Sequence, residues 1–276
     1  MKNLKKFEIK NRTALITGGG GLFGFEHACA LLEVGAFVIL SDIESKSLKK
    51  NSERLSKIYN KNNFITIKMD VTKESSIKSC LKKIKKIRKK IDILINNASI
   101  NPTSKKIKNN SNNRLESFSL KNWNKEISVG LTGTFLCSKI FGTEMSKDKK
   151  GVIINILSDL SVISPDQRIY QKNNKKINNK FAKPITYSAI KTGMLGLTRY
   201  IATYWAHKGI RCNAISPGGI YDNQDKFFVR KLNKLIPLGR MAEKDEYRSA
   251  IQFLCSDASS YMNGHNMIMD GGRSIW

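Results

Sequence analysis

The stretch TALITGGGGLFG, residues 13–24, decides the fold of this chain. Five apolar or β-branched residues come first, a run of glycines follows, and an apolar helical pattern begins at Leu22. A strand, a glycine turn and a helix in this order let backbone N–H groups approach a pyrophosphate, which the positive end of the helix stabilises. Gly19, Gly21 and Gly24 match the GxGxxG pattern in that context. The stretch predicts a dinucleotide site, and a purely structural glycine turn is the alternative.

The rest of the chain alternates short β-rich runs with longer amphipathic runs, which is typical of a parallel sheet covered by helices. The predicted strands span residues 13–17, 36–41, 64–68, 91–95, 152–157, 210–215 and 266–269. The predicted helices span residues 22–34, 45–59, 73–89, 120–145, 186–207, 225–235 and 242–256. We therefore expect a single α/β domain over residues 1–276, a Rossmann-type doubly wound seven-stranded parallel sheet with helices on both faces.

Two polar stretches interrupt this alternation, residues 101–119 and 165–184. Each follows the carboxyl end of a predicted strand, the edge at which ligands bind in a doubly wound sheet. We therefore expect two insertions at the rim of an active site. A disordered insertion is the alternative for each of them.

The composition limits the classes of protein to consider. With 276 residues and 40% hydrophobic content, the chain can bury a full core. It holds no run of about 18 apolar residues, the length needed to cross a membrane, and its basic N-terminus lacks an apolar signal region. We expect a soluble cytoplasmic protein that does not bind membranes.

The formal net charge of +27 raises nucleic acid as a partner. Lysines are spread over nearly all predicted surface faces without a nucleic-acid-binding motif, so a solvated basic surface is the preferred interpretation. The 5 cysteines and 3 histidines show neither a CxxC pair nor a metal-ligand spacing. We expect reduced, mostly buried thiols, no metal site and no nucleic-acid partner.

The second predicted strand runs into Asp42, eighteen residues after Gly24. A carboxylate there accepts hydrogen bonds from both hydroxyl groups of the adenosine ribose, whereas a 2′-phosphate would meet like charge. That repulsion costs on the order of 4 kcal/mol at about 4 Å and an effective dielectric constant of about 20. Asp42 therefore favours NAD over NADP. Two alternatives are that Asp42 only caps the following helix, or that Lys46 neutralises it.

Further motifs follow in order along the chain. They are Asp70 after the third predicted strand, Asn96-Asn97-Ala98-Ser99 after the fourth, Tyr187-Ser188-Ala189-Ile190-Lys191, Ser216-Pro217-Gly218-Gly219 and Asp270-Gly271-Gly272. With the glycine turn, this set in this order resembles the short-chain dehydrogenase/reductase family over essentially the whole chain. Six motifs on the expected elements are far more specific than any one of them.

The YxxxK spacing places Tyr187 and Lys191 on one face of a helix, where the ammonium group favours the phenolate. The resemblance implies that Tyr187 is the catalytic acid/base, that Lys191 also holds the nicotinamide ribose, and that Ser158 hydrogen-bonds the substrate carbonyl oxygen. It further implies cofactor contacts from Gly18, Gly19, Gly21, Leu22, Phe23, Gly24, Asp42, Asp70, Val71, Asn97, Ala98, Tyr187, Lys191, Pro217, Gly218 and Ile220.

The chain departs from the family pattern at three places. Leu22 stands where the middle glycine of the turn is usual. Gly130 stands where the catalytic set usually has a helical asparagine, and its main-chain carbonyl group would still be able to hold a water. Ser158 and Tyr187 are 29 positions apart, farther than is usual, so residues 165–184 form an insertion over the active site.

We therefore expect reversible hydride transfer between NAD and a secondary alcohol or ketone of a polar substrate, such as a sugar derivative. Arg168 in the insertion is expected to bind a carboxylate or phosphate group. The chain is also similar to family members linked to surface-sugar or nonulosonate pathways. The alternatives are a 3-oxoacyl carrier-protein reductase and a non-catalytic dinucleotide-binding scaffold or sensor. By resemblance, we expect a homotetramer or dimer with Trp276 at an interface.

Overall fold

A parallel sheet of seven strands, in the order β3-β2-β1-β4-β5-β6-β7, forms the centre of the computed structural model. The structure describes residues 3–100, 113–170 and 182–276. The strands are β1 (Thr13–Thr17), β2 (Phe37–Asp42), β3 (Phe64–Lys68), β4 (Ile93–Asn96), β5 (Gly151–Ile156), β6 (Ile210–Pro217) and β7 (Asn266–Met269). The predicted doubly wound sheet is confirmed.

Helices cover both faces of this sheet. They are α1 (Leu22–Glu33), α2 (Ser45–Ser56), α3 (Glu74–Arg88), α4 (Leu120–Ile127), α5 (Gly133–Lys147), α6 (Ile185–Tyr204), α7 (Lys226–Asn233) and α8 (Arg248–Cys255). Successive side chains of a strand point to opposite faces. In β1, Ala14 and Ile16 therefore pack in one core cluster with α1 and α8, whereas Leu15 packs in the other with α3 and α5.

The strand order reverses at β1. This strand pairs with β2 on one side and with β4 on the other, so the chain passes from β3 at the edge back across the sheet to β4. A crevice forms outside the carboxyl ends of the strands at such a point, and ligands of doubly wound sheets bind there. The fold thus brings the end of β1, with its glycine turn, close to the ends of β4 and β5.

The strands lie within two residues of their predicted bounds and five of the predicted helices within three, whereas the other two predicted helices differ more. The predicted helix 120–145 is divided by a π-helical turn, Ser128–Thr132, which separates α4 from α5. The predicted helix 242–256 begins only at Arg248. The preceding residues are held instead by a bridge between Ile220 and Ala242 and by an ion pair between Arg240 and Glu246.

All five cysteines are free and buried, as the sequence predicts. Within the three described ranges, no cluster of His, Cys, Asp and Glu side chains could hold a metal ion. No helix in that part of the chain is both long and apolar enough to span a membrane. Most of the two predicted insertions, residues 101–112 and 171–181, lies outside the described residues.

Candidate active site

The glycine turn between β1 and α1 is shaped for close approach of a ligand. Gly18 has a φ angle of +67°, and Cβ atoms added at Gly19 and Gly24 would lie 2.6 and 2.5 Å from protein atoms, so packing of the chain itself requires these glycines. Gly21 differs, because an added Cβ would meet only the Gly18 carbonyl oxygen, at an ordinary 3.4 Å. The open space at the start of α1 fits a pyrophosphate group.

Asp42 ends β2 directly beside this turn. Its Oδ2 accepts a hydrogen bond from the Gly20 backbone N–H (3.0 Å), and its Oδ1 accepts one from the Glu44 N–H (3.0 Å). A carboxylate oxygen accepts more than one hydrogen bond, so both oxygens can still accept ribose hydroxyl groups. The side chain that caps α2 is that of Glu44, which accepts the Lys46 N–H. Asp42 is therefore available to a cofactor.

The ends of β3 and β4 complete the cofactor edge. Asn97 Nδ2 donates to the carbonyl oxygens of Thr17 (2.9 Å) and Gly18 (3.1 Å), which fixes the glycine turn. The Asp70 carboxylate accepts hydrogen bonds from the N–H and hydroxyl groups of Thr72. The other predicted cofactor residues lie at the start of α1 or at and just after the ends of strands: Leu22, Phe23, Val71, Ala98, Pro217, Gly218 and Ile220.

Ser158, Tyr187 and Lys191 meet at the carboxyl end of β5. Ser158 follows that strand, and the other two lie on the first turns of α6. The Lys191 ammonium nitrogen is 5.7 Å from the centroid of the Tyr187 ring and donates to the Ile156 carbonyl oxygen (2.6 Å). The hydroxyl group of Ser158 is close enough to the Tyr187 phenol to lower its pKa. The structure thus brings together a hydroxyl group, a phenol and an ammonium group that sequence reasoning had associated.

Burial has the largest effect on the electrostatics of this group. Burial and the Asp159 carboxylate raise the pKa of Tyr187 to about 12, although hydrogen bonding with Ser158 lowers it. Burial disfavours the charged form of the phenol and so acts against the effect expected from the nearby ammonium group, which stays a prediction. Burial and the charge of Lys183 lower the pKa of Lys191 to about 7. The pKa of Lys191 therefore lies near neutral pH, whereas that of Tyr187 lies well above it.

Gly130 lies within the π-helical turn, packed against α6. An added Cβ would lie 2.7 Å from Cγ2 of Ile190, the residue before Lys191, so an asparagine side chain does not fit unless Ile190 moves. The Gly130 carbonyl oxygen accepts a hydrogen bond from the Thr134 hydroxyl group (2.7 Å). Glycine at this position therefore allows α6 to approach closely.

Arg168 lies in a short 3₁₀ helix, Gln167–Tyr170, and its side chain is 83% exposed. Its guanidinium group donates two hydrogen bonds to the Asp166 carboxylate, both at 2.9 Å. The structure therefore gives Arg168 an intramolecular partner. Its predicted role in binding a substrate anion stays a prediction.

Three charged residues beside Tyr187 were missed by sequence reasoning. Lys183 places its ammonium nitrogen 3.6 Å from the centroid of the Tyr187 ring, and burial lowers the pKa of Lys183 to about 8. Asp159 receives a hydrogen bond from Ser158, and Arg273 pairs with Asp159. Asp159 directly follows Ser158 in the sequence, so it could have been predicted as a site residue. Arg273 gave none, because it is 114 residues away in the sequence.

Known proteins resemble this chain over nearly its whole length. The family model described as enoyl-(acyl carrier protein) reductase matches residues 22–274. The NAD-dependent glycerol dehydrogenase of Listeria innocua is 32% identical over 276 residues, which is 98% of this chain and 97% of that protein.

Two solved structures share both fold and length with this chain. A short-chain dehydrogenase from Leptospira borgpetersenii with bound NAD⁺ is 33% identical, covers 99% of this chain and 96% of its own, and has a TM-score of 0.83. A gluconate 5-dehydrogenase from Burkholderia cenocepacia, in complex with NADP and tartrate, is 26% identical with 99% of each chain covered and a TM-score of 0.83. The chain therefore belongs to the short-chain dehydrogenase/reductase family of NAD(P)-dependent oxidoreductases.

Proposed function

We propose that this oxidoreductase uses NAD and interconverts a secondary alcohol and a ketone on a sugar-derived or polyol substrate. One observation carries the proposal: Ser158, Tyr187 and Lys191 meet at the same sheet edge as the glycine turn and Asp42. The Asp42 carboxylate supports NAD, since it suits ribose hydroxyl groups and repels a phosphate group.

Each of the three residues has a role in the proposed oxidation. When bound at this edge of the sheet, NAD⁺ would supply the hydride acceptor. The substrate carbon loses hydrogen with two electrons as hydride, and its hydroxyl group gives the proton to the Tyr187 phenolate, so an alcohol becomes a ketone. Lys191 stabilises the phenolate and binds ribose hydroxyl groups, and Ser158 orients the substrate oxygen. Reduction reverses each transfer.

The substrate class is supported by relatives that act on polar compounds. The names of two similar proteins specify glycerol and gluconate as substrates. The amine groups of Lys183 and Lys191 beside Tyr187 also suit a polar molecule better than a hydrocarbon. Surface-sugar or nonulosonate metabolism contains polar compounds of this kind, and we propose a role there. Arg168 remains a proposed contact for an anionic group of the substrate.

The test is turnover with purified protein and a substrate panel. Polyols, sugar acids, sugar phosphates, nucleotide sugars and 3-hydroxyacyl thioesters are each incubated with NAD⁺ or NADP⁺ while absorbance of the reduced nicotinamide is followed. We expect turnover with a member of the first four classes and NAD⁺. Turnover confined to thioesters indicates a carrier-protein reductase. Cofactor binding without any turnover indicates a scaffold or sensor.

Cofactor choice is tested separately from turnover by fluorescence titration with NADH and NADPH. Asp42→Ala should weaken NADH binding and narrow the preference over NADPH, because it removes both the acceptor and the like charge. The matched control is Glu44→Ala, which removes the neighbouring carboxylate that caps α2 and should leave the preference unchanged. Equal or tighter NADPH binding by the unmodified protein contradicts the choice of NAD.

We also propose that the chain works in the cytoplasm as one catalytic domain per subunit of a homotetramer. Exposed apolar side chains support an assembly. Tyr200 and Tyr204 are stacked at 5.7 Å between ring centroids on α6, and they are 64% and 57% exposed. Exposed aromatic surface of this kind is common at interfaces between subunits.

A further inference from the structure

Lys183 places a second ammonium group beside the proposed catalytic phenol. It stands four residues before Tyr187, as Lys191 stands four residues after it, and its Nζ lies 3.6 Å from the centroid of the Tyr187 ring. Lys183 and Tyr187 both keep part of their surface exposed, so a ligand can reach them. An anion bound to this ammonium group would therefore lie close to a carbon that reacts at the phenol.

The backbone of Lys183 is held by the side chain of Gln167. Gln167 Oε1 accepts the Lys183 N–H (2.9 Å), and Gln167 Nε2 donates to the Lys183 carbonyl oxygen (3.2 Å). Gln167 begins the 3₁₀ helix Gln167–Tyr170, in which Ile169 is buried in one cluster with Leu232 of α7. The segment before Tyr187 is therefore fixed to α7 through Gln167, and the Lys183 side chain starts from a defined place.

The ammonium group of Lys183 is a partly desolvated charge. Burial lowers the pKa of Lys183 to about 8, although the carboxylates of Asp159 and Glu126 raise it, and the charge of Arg273 lowers it. Lys183 therefore stays mostly protonated at neutral pH. The charge of Asp159 is already paired with Arg273 (2.6 Å). Since burial removes water from the Lys183 charge, a carboxylate or phosphate group of a ligand would stabilise it.

The neighbours of Lys183 differ from those of the cofactor residues. Asp159, Glu126 and Arg273 belong to the segment after β5, to α4 and to the segment after β7, and none of them is an expected cofactor contact. Lys191, which is expected to hold the nicotinamide ribose, donates instead to a backbone carbonyl oxygen of β5. The two ammonium groups thus flank the phenol in different surroundings, and that of Lys183 lies among groups that are left for the substrate.

We propose that Lys183 is a specificity-determining residue that binds a carboxylate or phosphate group of the substrate close to the reacting carbon. Gln167 is its positioning residue. The inference rests on the proposed function and narrows the substrate class to an anionic hydroxy compound, such as a sugar acid or a sugar phosphate. An ammonium group has three N–H donors on a flexible stem, so Lys183 can bind such a group in addition to its contacts within the chain.

The test measures ligand binding to the full-length protein saturated with NADH, so that no alcohol is oxidised. The probes are D-gluconate, D-glycerate and glycerol 3-phosphate, each compared with its uncharged counterpart, D-gluconamide, D-glyceramide or glycerol, and isothermal titration calorimetry gives Kd. We expect at least one anion to bind about tenfold or more tightly than its counterpart, because hydrogen bonds between charged groups are the stronger ones. Lys183→Met should abolish this anion preference, whereas Lys183→Arg, which keeps the charge, should retain part of it.

Further variants separate the local contact from other effects. Lys139→Met is the matched control, since it also removes one lysine charge, from the ion pair with Glu74 between α5 and α3, and it should leave the anion preference unchanged. Gln167→Ala should weaken the preference by less than Lys183→Met, because it loosens the Lys183 backbone and keeps the charge. Should Lys183→Met not fold, Lys183→Gln takes its place.

Three results would overturn the proposal. They are an unmodified protein with no anion preference, a preference that survives in Lys183→Met, and a preference that is lost only in Arg168→Ala, which would assign the anion to Arg168. An unchanged preference in Gln167→Ala overturns the positioning role of Gln167.

Steady-state kinetics distinguishes this inference from the proposed function. For an anionic compound that is oxidised, Lys183→Met should raise KM by about tenfold and change kcat little, because the contact exists equally in the ground and transition states. Binding that depends on Lys183 without turnover of any substrate supports the anion site and contradicts the proposed function. Turnover of neutral polyols without an anion preference supports the proposed function and contradicts the anion site.

Discussion

At Tyr187, one phenol lies between a hydroxyl group and two ammonium groups in a buried setting. The Tyr187→Phe variant keeps the ring, and therefore its packing, but has no proton to transfer. We expect kcat to fall by about 10² to 10⁴. NAD⁺ affinity should be nearly unchanged, because the Tyr187 ring is not part of the glycine turn that is proposed to bind the dinucleotide. Steady-state kinetics and a fluorescence titration of NADH measure the two effects. Retained turnover would show that another group carries the proton.

Lys191 gives the cofactor-free protein a pH-dependent stability. Its pKa in the folded protein is about 7, against 10.5 for an ordinary lysine, so between these values the unfolded chain binds a proton that the folded chain does not. Stability from this group is therefore complete above the unfolded pKa and is lost as the pH falls towards 7. Tm should rise more steeply from pH 7 to 10.5 in the unmodified protein than in Lys191→Met. If Tm changes with pH in parallel for the unmodified protein and Lys191→Met, the Lys191 ammonium group is not buried as described.

Among the helices, the π-helical turn between α4 and α5 departs from α-helical geometry and affects how α6 packs near the site. Gly130 in that turn lets Ile190 of α6 approach, and Ile190 precedes Lys191. Gly130→Ala should cost about 1–3 kcal/mol in the free energy of unfolding through overpacking, although alanine favours a helix. A matched control is Gly196→Ala on α6, where an added Cβ meets nothing within 4 Å. Denaturant unfolding compares the two, and equal effects would contradict the packing argument.

The same elements show what sequence can and cannot predict. Strand bounds were predictable because period-two and continuous apolar runs end at glycines and polar residues. The π-helical turn was not, since an extra residue in one turn leaves an apolar pattern that still resembles a single helix. The late start of α8 depends on the bridge from Ile220 to Ala242, a contact between distant segments. The Asp159–Arg273 pair escaped prediction for the same reason.

Across the whole molecule, the unpartnered aromatic surface of α6 predicts association. Tyr204→Glu would place a charge within the stacked pair with Tyr200, so we expect the mass measured by light scattering to fall from about four subunits towards one or two. Tyr261→Glu is the control, because Tyr261 is fully exposed at 104% and stands outside the stacked pair. A monomeric mass for the unmodified protein would contradict the proposed tetramer.

The five buried thiols can report how often each part of the folded protein opens. They lie on separate elements of both core clusters: Cys29 on α1, Cys80 on α3, Cys137 on α5, Cys212 on β6 and Cys255 on α8. Burial raises the pKa of Cys80 and Cys255 to about 12, so an alkylating reagent reaches a reactive thiolate only when the surrounding structure parts. Mass spectrometry of each labelled cysteine would then rank the elements by opening rate. Slower labelling after NAD⁺ is added would show how far binding at one edge of the sheet reduces opening elsewhere.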